Sequence, residues 1–452
     1  MLRANRKKIL LRLELFERPF FEEKNEKISN VLNIVFIIYV LLMPFSKAFN
    51  YVTGPYIILA LWILEGGMKE KVKFLLKPLF LIWFVFIIFT LTSLLWAEPD
   101  PSQKQLLRAY FAFTVIAVAF STSLKSGYFK YIIYVFIGTM AINEIISYGI
   151  FFEWWSFEHR SRMMPNPPKI HHIRYSVFLA ITAMMLIWRI MAGSENKKIK
   201  IIESIFFLSV LTNLFLNGGR TGQLDMLVGF MVFSLLYFKP KILLYFKPKI
   251  KNILLLFVLM TFTIISMYQI SPVFKARVGQ GINDIKLLTE NNYNSSWGRR
   301  VARYIAIERA VREKPFIGYG LGNFHPAMRT LDSKFKNIHP NIFKIAQNSA
   351  HPHSDYLQIL VQSGYLGLLL YLSFFFSILL KVLEERNRTE RAIYLSLLSI
   401  LLVSSFTNPL LKDQTIGLFA FVIGMILNRI YGNASHTMEE GKRKAYQRKV
   451  IG

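Results

Sequence analysis

The stretch His351–Leu372 reads HPHSDYLQILVQSGYLGLLLYL, with two histidines, a serine and an aspartate standing directly before a long apolar run. A continuous apolar segment of about 20 residues is long enough to cross a hydrocarbon layer of roughly 30 Å as a helix. Ionisable groups are costly inside that layer, so a cluster of them at its edge marks a site at the mouth of a membrane helix. The same kind of run recurs along the chain. Of its 452 residues, 53% are hydrophobic, and the mean hydropathy is +0.37. A soluble chain of this length would alternate its apolar residues instead of running them together. The predicted fold is an all-α integral membrane protein with about twelve spans. They fall near 28–48, 50–66, 74–96, 106–124, 128–152, 170–191, 201–217, 221–238, 252–270, 354–380, 392–408 and 413–431. Pro55 in the short second span predicts a broken or re-entrant helix there.

Lysine and arginine total 55 against 27 acids, a net charge of +28. Such a balance can mark nucleic-acid binding. Here the bases lie mostly in short segments between spans, where orientation and anionic membrane lipids account for them, so no nucleic-acid partner is expected. Clusters at Arg3–Lys8, Lys69–Lys77, Lys197–Lys200, Lys239–Lys251, Lys381–Arg391 and Lys442–Lys449 mark one face as cytoplasmic. Both termini then lie inside, which requires an even number of spans. The expected organisation is a cytoplasmic segment 1–27, nine spans over 28–270, an outer loop 271–353 with an amphipathic helix, three spans over 354–432, and a charged tail 433–452. The repeat YFKPKI at 237–242 and 245–250 reads as a local interfacial anchor, not a solenoid. Residues 1–27 are charged, and no small-residue cleavage site follows the first apolar run, so a cleaved signal peptide is not expected. The chain has no cysteine, which removes disulfides and thiolate metal sites.

Three features fall on the outer face in this layout. Asn217-Gly218-Gly219-Arg220-Thr221-Gly222 links two spans tightly, with Arg220 at a helix start. Exposed amides and a guanidinium suit a phosphate, while an interfacial arginine snorkelling to lipid headgroups is the structural alternative. The loop segment Ser295–Phe324 begins with a cap at Ser295 or Ser296. Val301, Tyr304, Ile305 and Val311 recur at helical spacing, which predicts an amphipathic helix lying on the outer surface. Arg299, Arg300 and Arg303 crowd one region of it, and three guanidiniums that close repel unless an anion such as a pyrophosphate sits among them; a solvated basic face is the competing reading, and the preferred one for Arg309 and Arg312. The third feature is His353, with His351 two residues earlier. No carboxylate set completes a metal site around them, Asp355 alone being too little, so no metal is expected. A neutral imidazole at a helix N-terminus is free to accept a proton, as a general base must be; a histidine that only hydrogen-bonds at the interface is the alternative. Asp225 and Glu144 fall within spans, where each needs a partner. Asp225 is placed to orient Arg220 from one turn away, or to pack on a polar neighbour. The pair His171-His172 lies at an outer helix start without an assigned role.

These elements resemble the O-antigen ligase and O-antigen polymerase superfamily. The ligase signature is His, then Asn, Ser or Gln, then nine residues, then Gly-x-x-Gly. Here His353-Ser354 is followed by Asp355 to Ser363 and by Gly364-Tyr365-Leu366-Gly367. Arg300-Val301-Ala302-Arg303-Tyr304 and the Pro315-led, Gly-rich run to Phe324 are similar to the family's upstream elements. Arg220-Thr221 is similar to a Ser-Arg-Thr element in which Gly219 replaces the serine. The resemblance implies a C-type glycosyltransferase of the bacterial inner membrane with its active site on the periplasmic face. The implied donor is a glycan on undecaprenyl pyrophosphate, the acceptor is a lipid A–core sugar, and no metal or other cofactor is needed. It implies Arg220 and Arg300, with Arg299 or Arg303, on the pyrophosphate and His353 as general base. Asn217, Thr221, Ser354, Tyr356 and His351 stand close in sequence as support.

Three other functions share parts of the pattern. A polymerase joining lipid-linked repeat units has the same donor logic. A protein O-oligosaccharyltransferase usually has more sequence after the signature. A transporter or flippase needs its polar groups near the midplane, in two matching halves, and no such symmetry is visible.

Overall fold

The computed structural model describes residues 22–158, 160–192, 196–238, 272–411 and 415–431, together with 265, 268 and 269. The described part of the N-terminal segment begins at residue 22. Most of the YFKPKI repeat, most of the expected span 252–270 and the tail from 432 lie outside it. Among the described residues the regular elements are all helices, with two isolated bridges, Lys24–Gly66 and Ser161–Met164. The helices are α1 (Glu26–Leu42), α2 (Phe49–Leu64), α3 (Met68–Leu75), α4 (Pro78–Leu95), α5 (Ser102–Ser123), α6 (Ser126–Phe151), α7 (His172–Ala192), α8 (Lys197–Leu216), α9 (Arg220–Phe238), α10 (Pro272–Thr289), α11 (Ser296–Glu313), α12 (Phe324–Arg329), α13 (Ser333–Ile338), α14 (Pro340–Gln347), α15 (Asp355–Leu383), α16 (Arg388–Thr407) and α17 (Thr415–Tyr431). Among the described residues, α4–α8, α15 and α16 are seven helices long and apolar enough to cross a membrane, and α2 and α17 are shorter apolar helices. The expected spans 28–48 and 221–238 fall on α1 and α9.

Polar side chains set several helix starts. Asn25, Asn196 and Asn387 accept the first free amides of α1, α8 and α16, which answers the unpaired donors every helix N-terminus carries. The second span is a continuous helix that opens with a π-helical turn, Phe49–Thr53. Pro55 sits just after that turn and has no N–H to give; the Asn50 carbonyl five residues before it accepts the Tyr39 hydroxyl at 2.9 Å.

Burial separates inner from outer helices. In the apolar windows of α5 and α7, 72% of residues are buried, against 17% in α8, so among these seven helices of the described residues α8 is the least buried. Helix α17 is buried along most of its length and stacks Phe419 and Phe421 against rings of α5, α6 and α15. Lipid offers no hydrophobic drive between helices, so close ring packing of this kind is what holds such a bundle. Residues between 302 and 346, with Val361 of α15, form a second core.

Contacts across the bundle sort the helix ends into two sets. At one end, Ser102 Oγ donates to the Gly322 carbonyl (2.7 Å), Asn217 Nδ2 to the His172 carbonyl (2.7 Å), and the Leu410 amide to Asp355 Oδ2 (2.8 Å). At the other end, Lys24 reaches the Thr122 carbonyl, Arg388 the Leu236 carbonyl, and Arg429 pairs with Glu390. Gly322, and Arg277 whose carbonyl Arg220 reaches, join the segment 272–354 to the first set.

Candidate active site

The turn between α8 and α9 is built by glycines with different tasks. Gly218 has φ +65° and supplies the left-handed step of the turn. At Gly219 and Gly222 a side chain would collide with Ser176 of α7, so these glycines let α9 pack against α7 at contact distance. The Gly222 amide donates to Ser176 Oγ at 3.1 Å. Arg220 is thereby fixed at the first position of α9. Its guanidinium donates to the backbone carbonyl of Arg277 at 2.5 Å. It makes no ion pair with Asp225, so the expectation that this carboxylate orients Arg220 is not met: the carbonyl on α10 does so, and Asp225 lies fully buried inside the bundle. Glu144 finds its partner in Ser209, whose hydroxyl donates at 3.0 Å.

Helix α11 starts at Ser295, whose hydroxyl accepts the Gly298 amide at 2.9 Å. Its buried face is Ala302, Ala306, Ile307, Ala310 and Val311, directed into the second core. Of the four residues expected at helical spacing, Val311 lies in this core and Tyr304 and Ile305 pack against it, so the helix is packed on one face and does not simply lie on a surface; Val301 and Tyr304 also border a cavity. The three arginines diverge because each residue turns about 100° around a helix. Arg300 faces the cavity, Arg299 is exposed, and Arg303 turns back to donate to Ser349 Oγ at 2.9 Å. Burial, and then the charges of Arg299 and Arg300, weaken the hold of Arg303 on its proton.

The cavity has a volume of ≈ 600 Å³. Arg220, Thr221, Arg300 and Arg277 line it, together with His172 at the start of α7 and Asp284. Arg277 was not singled out in the sequence. Arg277, Gln280 and Asp284 recur at i, i+3 and i+7 on α10, a polar stripe that a helical reading of 272–289 would have exposed. Burial, and next the neighbouring charge of Arg220, lower the proton affinity of Arg277. Two guanidiniums in that situation form a place where an anion is stabilised. Asp284 is occupied on one side, its Oδ2 accepting the Trp297 amide at 3.3 Å, and so ties α10 to the start of α11.

Arg299, Arg303 and His353 are not among the residues lining this cavity. His353 has φ +61°, a left-handed conformation uncommon for a residue with a side chain. Its ring lies 4.2 Å from that of His351, centroid to centroid, and its amide meets His351 Nδ1 at 3.3 Å. His351 borders a neighbouring small hollow of ≈ 40 Å³ with Asp355 and Tyr110. Ser354 is the fully buried residue preceding α15, and Tyr356 donates to the Leu402 carbonyl at 2.8 Å. Asn217 holds the hairpin to α7 through the His172 carbonyl. Among the described residues, no group of three or more His, Asp or Glu side chains stands close enough to hold a metal ion.

The glycines of the signature have a structural reason. Inside α15 the backbone breaks at Gly364 (φ 62°, ψ −166°). The run from Pro315 lies against the break: the Tyr319 and Gly320 amides donate to the Val361 and Gln362 carbonyls at 2.9 and 2.7 Å, and the Tyr365 amide donates to the Pro315 carbonyl at 2.7 Å. A side chain at Gly364 would strike the backbone of Phe316.

Residues 205–372, which contain the hairpin, the arginine helices and the histidine signature, match a family model described as O-antigen ligase. No curated protein matches the chain.

Proposed function

From the premise that this membrane chain carries an O-antigen ligase domain, we propose that it transfers a glycan from undecaprenyl pyrophosphate to a sugar hydroxyl of lipid A–core. The observation that carries this reading is that Arg220 and Arg300, from elements far apart in sequence, line one cavity together with Arg277. Guanidiniums match the oxygens of a pyrophosphate with paired donors. In this reading the acceptor hydroxyl oxygen attacks the anomeric carbon from the face opposite the leaving group. A new C–O bond forms, the bond to the pyrophosphate oxygen breaks, and the anomeric configuration inverts. The arginines hold the departing lipid pyrophosphate and offset the charge that grows on it. His353 takes the hydroxyl proton, a step that typically contributes about two to four orders of magnitude. Support for His353 is the complete signature spacing, its left-handed backbone and the Arg303–Ser349 hydrogen bond that ties its segment to the arginine helix. The acceptor then lies between the cavity and the histidine turn.

The reading also sets the chain in the bacterial inner membrane with twelve crossings and both ends in the cytoplasm. Residues 271–353 are then periplasmic, and no metal takes part. The alternation of helix ends between two sets of contacts supports that layout. Purified protein in liposomes with a lipid-linked glycan and lipid A–core should yield glycosylated lipid A–core, and His353→Ala should lower the rate by about 10²–10⁴-fold. A longer lipid-linked chain as the product would redirect the reading to a polymerase. Full activity in the His353 variant would refute the base assignment.

A further inference from the structure

A groove of ≈ 570 Å³ lies on the side of the bundle, away from the arginine cavity. Helix α6 lines it with Ile137, Gly138 and Ala141, and α8 with Ile202, Ile205 and Phe206. It opens outward: Ile202 is 65% exposed and Ile205 63% exposed, and a Cβ added at Gly138 would meet nothing within 4 Å. These walls would suit any apolar chain, but the floor is selective. Glu203 also lines the groove and is 8% exposed. Arg189 of α7 donates Nε to Glu203 Oε1 at 2.9 Å and holds Nη2 2.8 Å from the same oxygen. Both contacts fall on Oε1, so Glu203 Oε2 is buried with no hydrogen-bond partner among the described residues. A buried carboxylate oxygen without a donor is costly, and a ligand that brings one removes the cost.

Basic groups flank this floor. Exposed Lys198 precedes Ile202, Ile205 and Ser209 at i, i+4, i+7 and i+11 on α8, and exposed Lys130 precedes Tyr134, Ile137 and Ala141 at the same spacing on α6. The Arg189 guanidinium lies 4.5 Å from the Tyr134 ring centre. All of this is at the end of the bundle where Arg429 pairs with Glu390. The Arg429 guanidinium lies 4.9 Å from the Phe129 ring of α6, which in turn meets Trp188 of α7 at 5.7 Å. The charges therefore stand at headgroup depth, and the apolar walls run from them toward the middle of the membrane. A zwitterionic headgroup answers both kinds of charge, with a cation for Glu203 and a phosphate for the bases. A fatty acid would set a second carboxylate against Glu203. Phosphatidylglycerol offers that oxygen only neutral hydroxyl donors, about half as strong as a charged one.

We propose that the groove between α6 and α8 holds an ethanolamine phospholipid. Its ammonium meets Glu203, its phosphate lies among Arg189, Lys130 and Lys198, and one acyl chain runs along Gly138, Ala141, Ile202 and Ile205. The bound lipid braces α8, the helix whose far end carries the Arg220 hairpin. Native mass spectrometry of the full-length protein in detergent tests this, with palmitoyl-oleoyl phosphatidylethanolamine and the phosphatidylglycerol of the same chains as probes. The wild type should retain the ethanolamine lipid about tenfold more tightly than the glycerol lipid. Gly138→Leu extends into open space, so it should leave Tm unchanged while weakening retention of both lipids at least about tenfold by filling the groove. Glu203→Gln should bring the two lipids to within about twofold of each other. Ile88→Phe, on the exposed face of α4, should change neither affinity. Equal retention of both lipids by the wild type, unchanged retention in Gly138→Leu, or an unchanged preference in Glu203→Gln overturns the proposal; should Glu203→Gln fail to fold, Gly138→Leu decides. A dimer that Gly138→Leu dissociates would give the groove to a second copy of this chain and overturn it as well.

Discussion

At the residue scale, the chemistry depends on which side chains are brought together and which are turned apart. Arg300 and Arg299 are neighbours in sequence, yet one faces the cavity and the other solvent. Arg220 and Arg300 were legible because each sits in a short recognisable pattern. Arg277 was not: its polar stripe on α10 is readable once 272–289 is taken as a helix, but its partnership with Arg220 spans 57 residues. His172 was visible as half of a histidine pair, but only the packing of α7 against the hairpin brings it to the cavity. Its neighbour His171 yields a pH prediction. The Ile173 amide points to His171 Nδ1 at 3.4 Å, an acceptor role that needs the neutral ring. Burial, then Arg174 and Arg160, lower its proton affinity below the usual histidine value. The unfolded chain therefore binds more protons than the folded one as pH drops through about 6.5, so this stabilisation is complete above that pH and lost below it. Thermal unfolding in detergent should show a Tm that falls on acidification from pH 7.5 to 5.5, with a shallower fall in His171→Asn, which keeps an acceptor but cannot titrate. An identical slope in the two proteins would mean that His171 is not the titrating group.

At the element scale, the break in α15 explains two motifs that looked separate in the sequence. The Gly-x-x-Gly of the signature and the Pro315-led, Gly-rich run meet because the second supplies hydrogen bonds to the backbone that the first interrupts. Glycine content alone could signal flexibility at both places; the pairing is a long-range fact that no local pattern encodes. Gly364→Ala should cost about 1–3 kcal/mol from backbone conformation alone, with the collision at Phe316 added. Gly279, inside α10, is the contrast, because a methyl group added there would meet nothing within 4 Å. Gly279→Ala should be neutral or stabilise by up to about 1 kcal/mol. Thermal unfolding of the two variants checks this, and an equal Tm for both would mean that the break is not required. Helix α11 gives the complementary lesson. Its helical period, its Ser295 cap and Val311 on its buried face were readable, but the small alanines that make up most of that face were not, because an apolar stripe is read first from its large side chains.

At the scale of the whole molecule, the membrane character was written in composition and run length, and the seven long apolar helices carry it. The alternation of basic clusters is a local signal at each interface, which is why a layout could be proposed from it. The segment 272–347 was less legible. It is five helices, α10–α14, of which α11–α14 pack into a core of their own; short helices with mixed polarity carry weak periodic signals. That segment brings α10 and α11 over the hairpin of α8 and α9 and so closes the cavity. The most direct test of the central claim, that this cavity grips the pyrophosphate, is the initial rate of glycan transfer in liposomes for arginine variants inside and outside it. Arg220→Gln, Arg277→Gln and Arg300→Gln should each lose about 10²–10³-fold. Arg309→Gln and Arg312→Gln, whose side chains pair with Asp332 and Glu308, should stay within about threefold of wild type. Wild-type rates in the three cavity variants, or equal losses in all five, would contradict it.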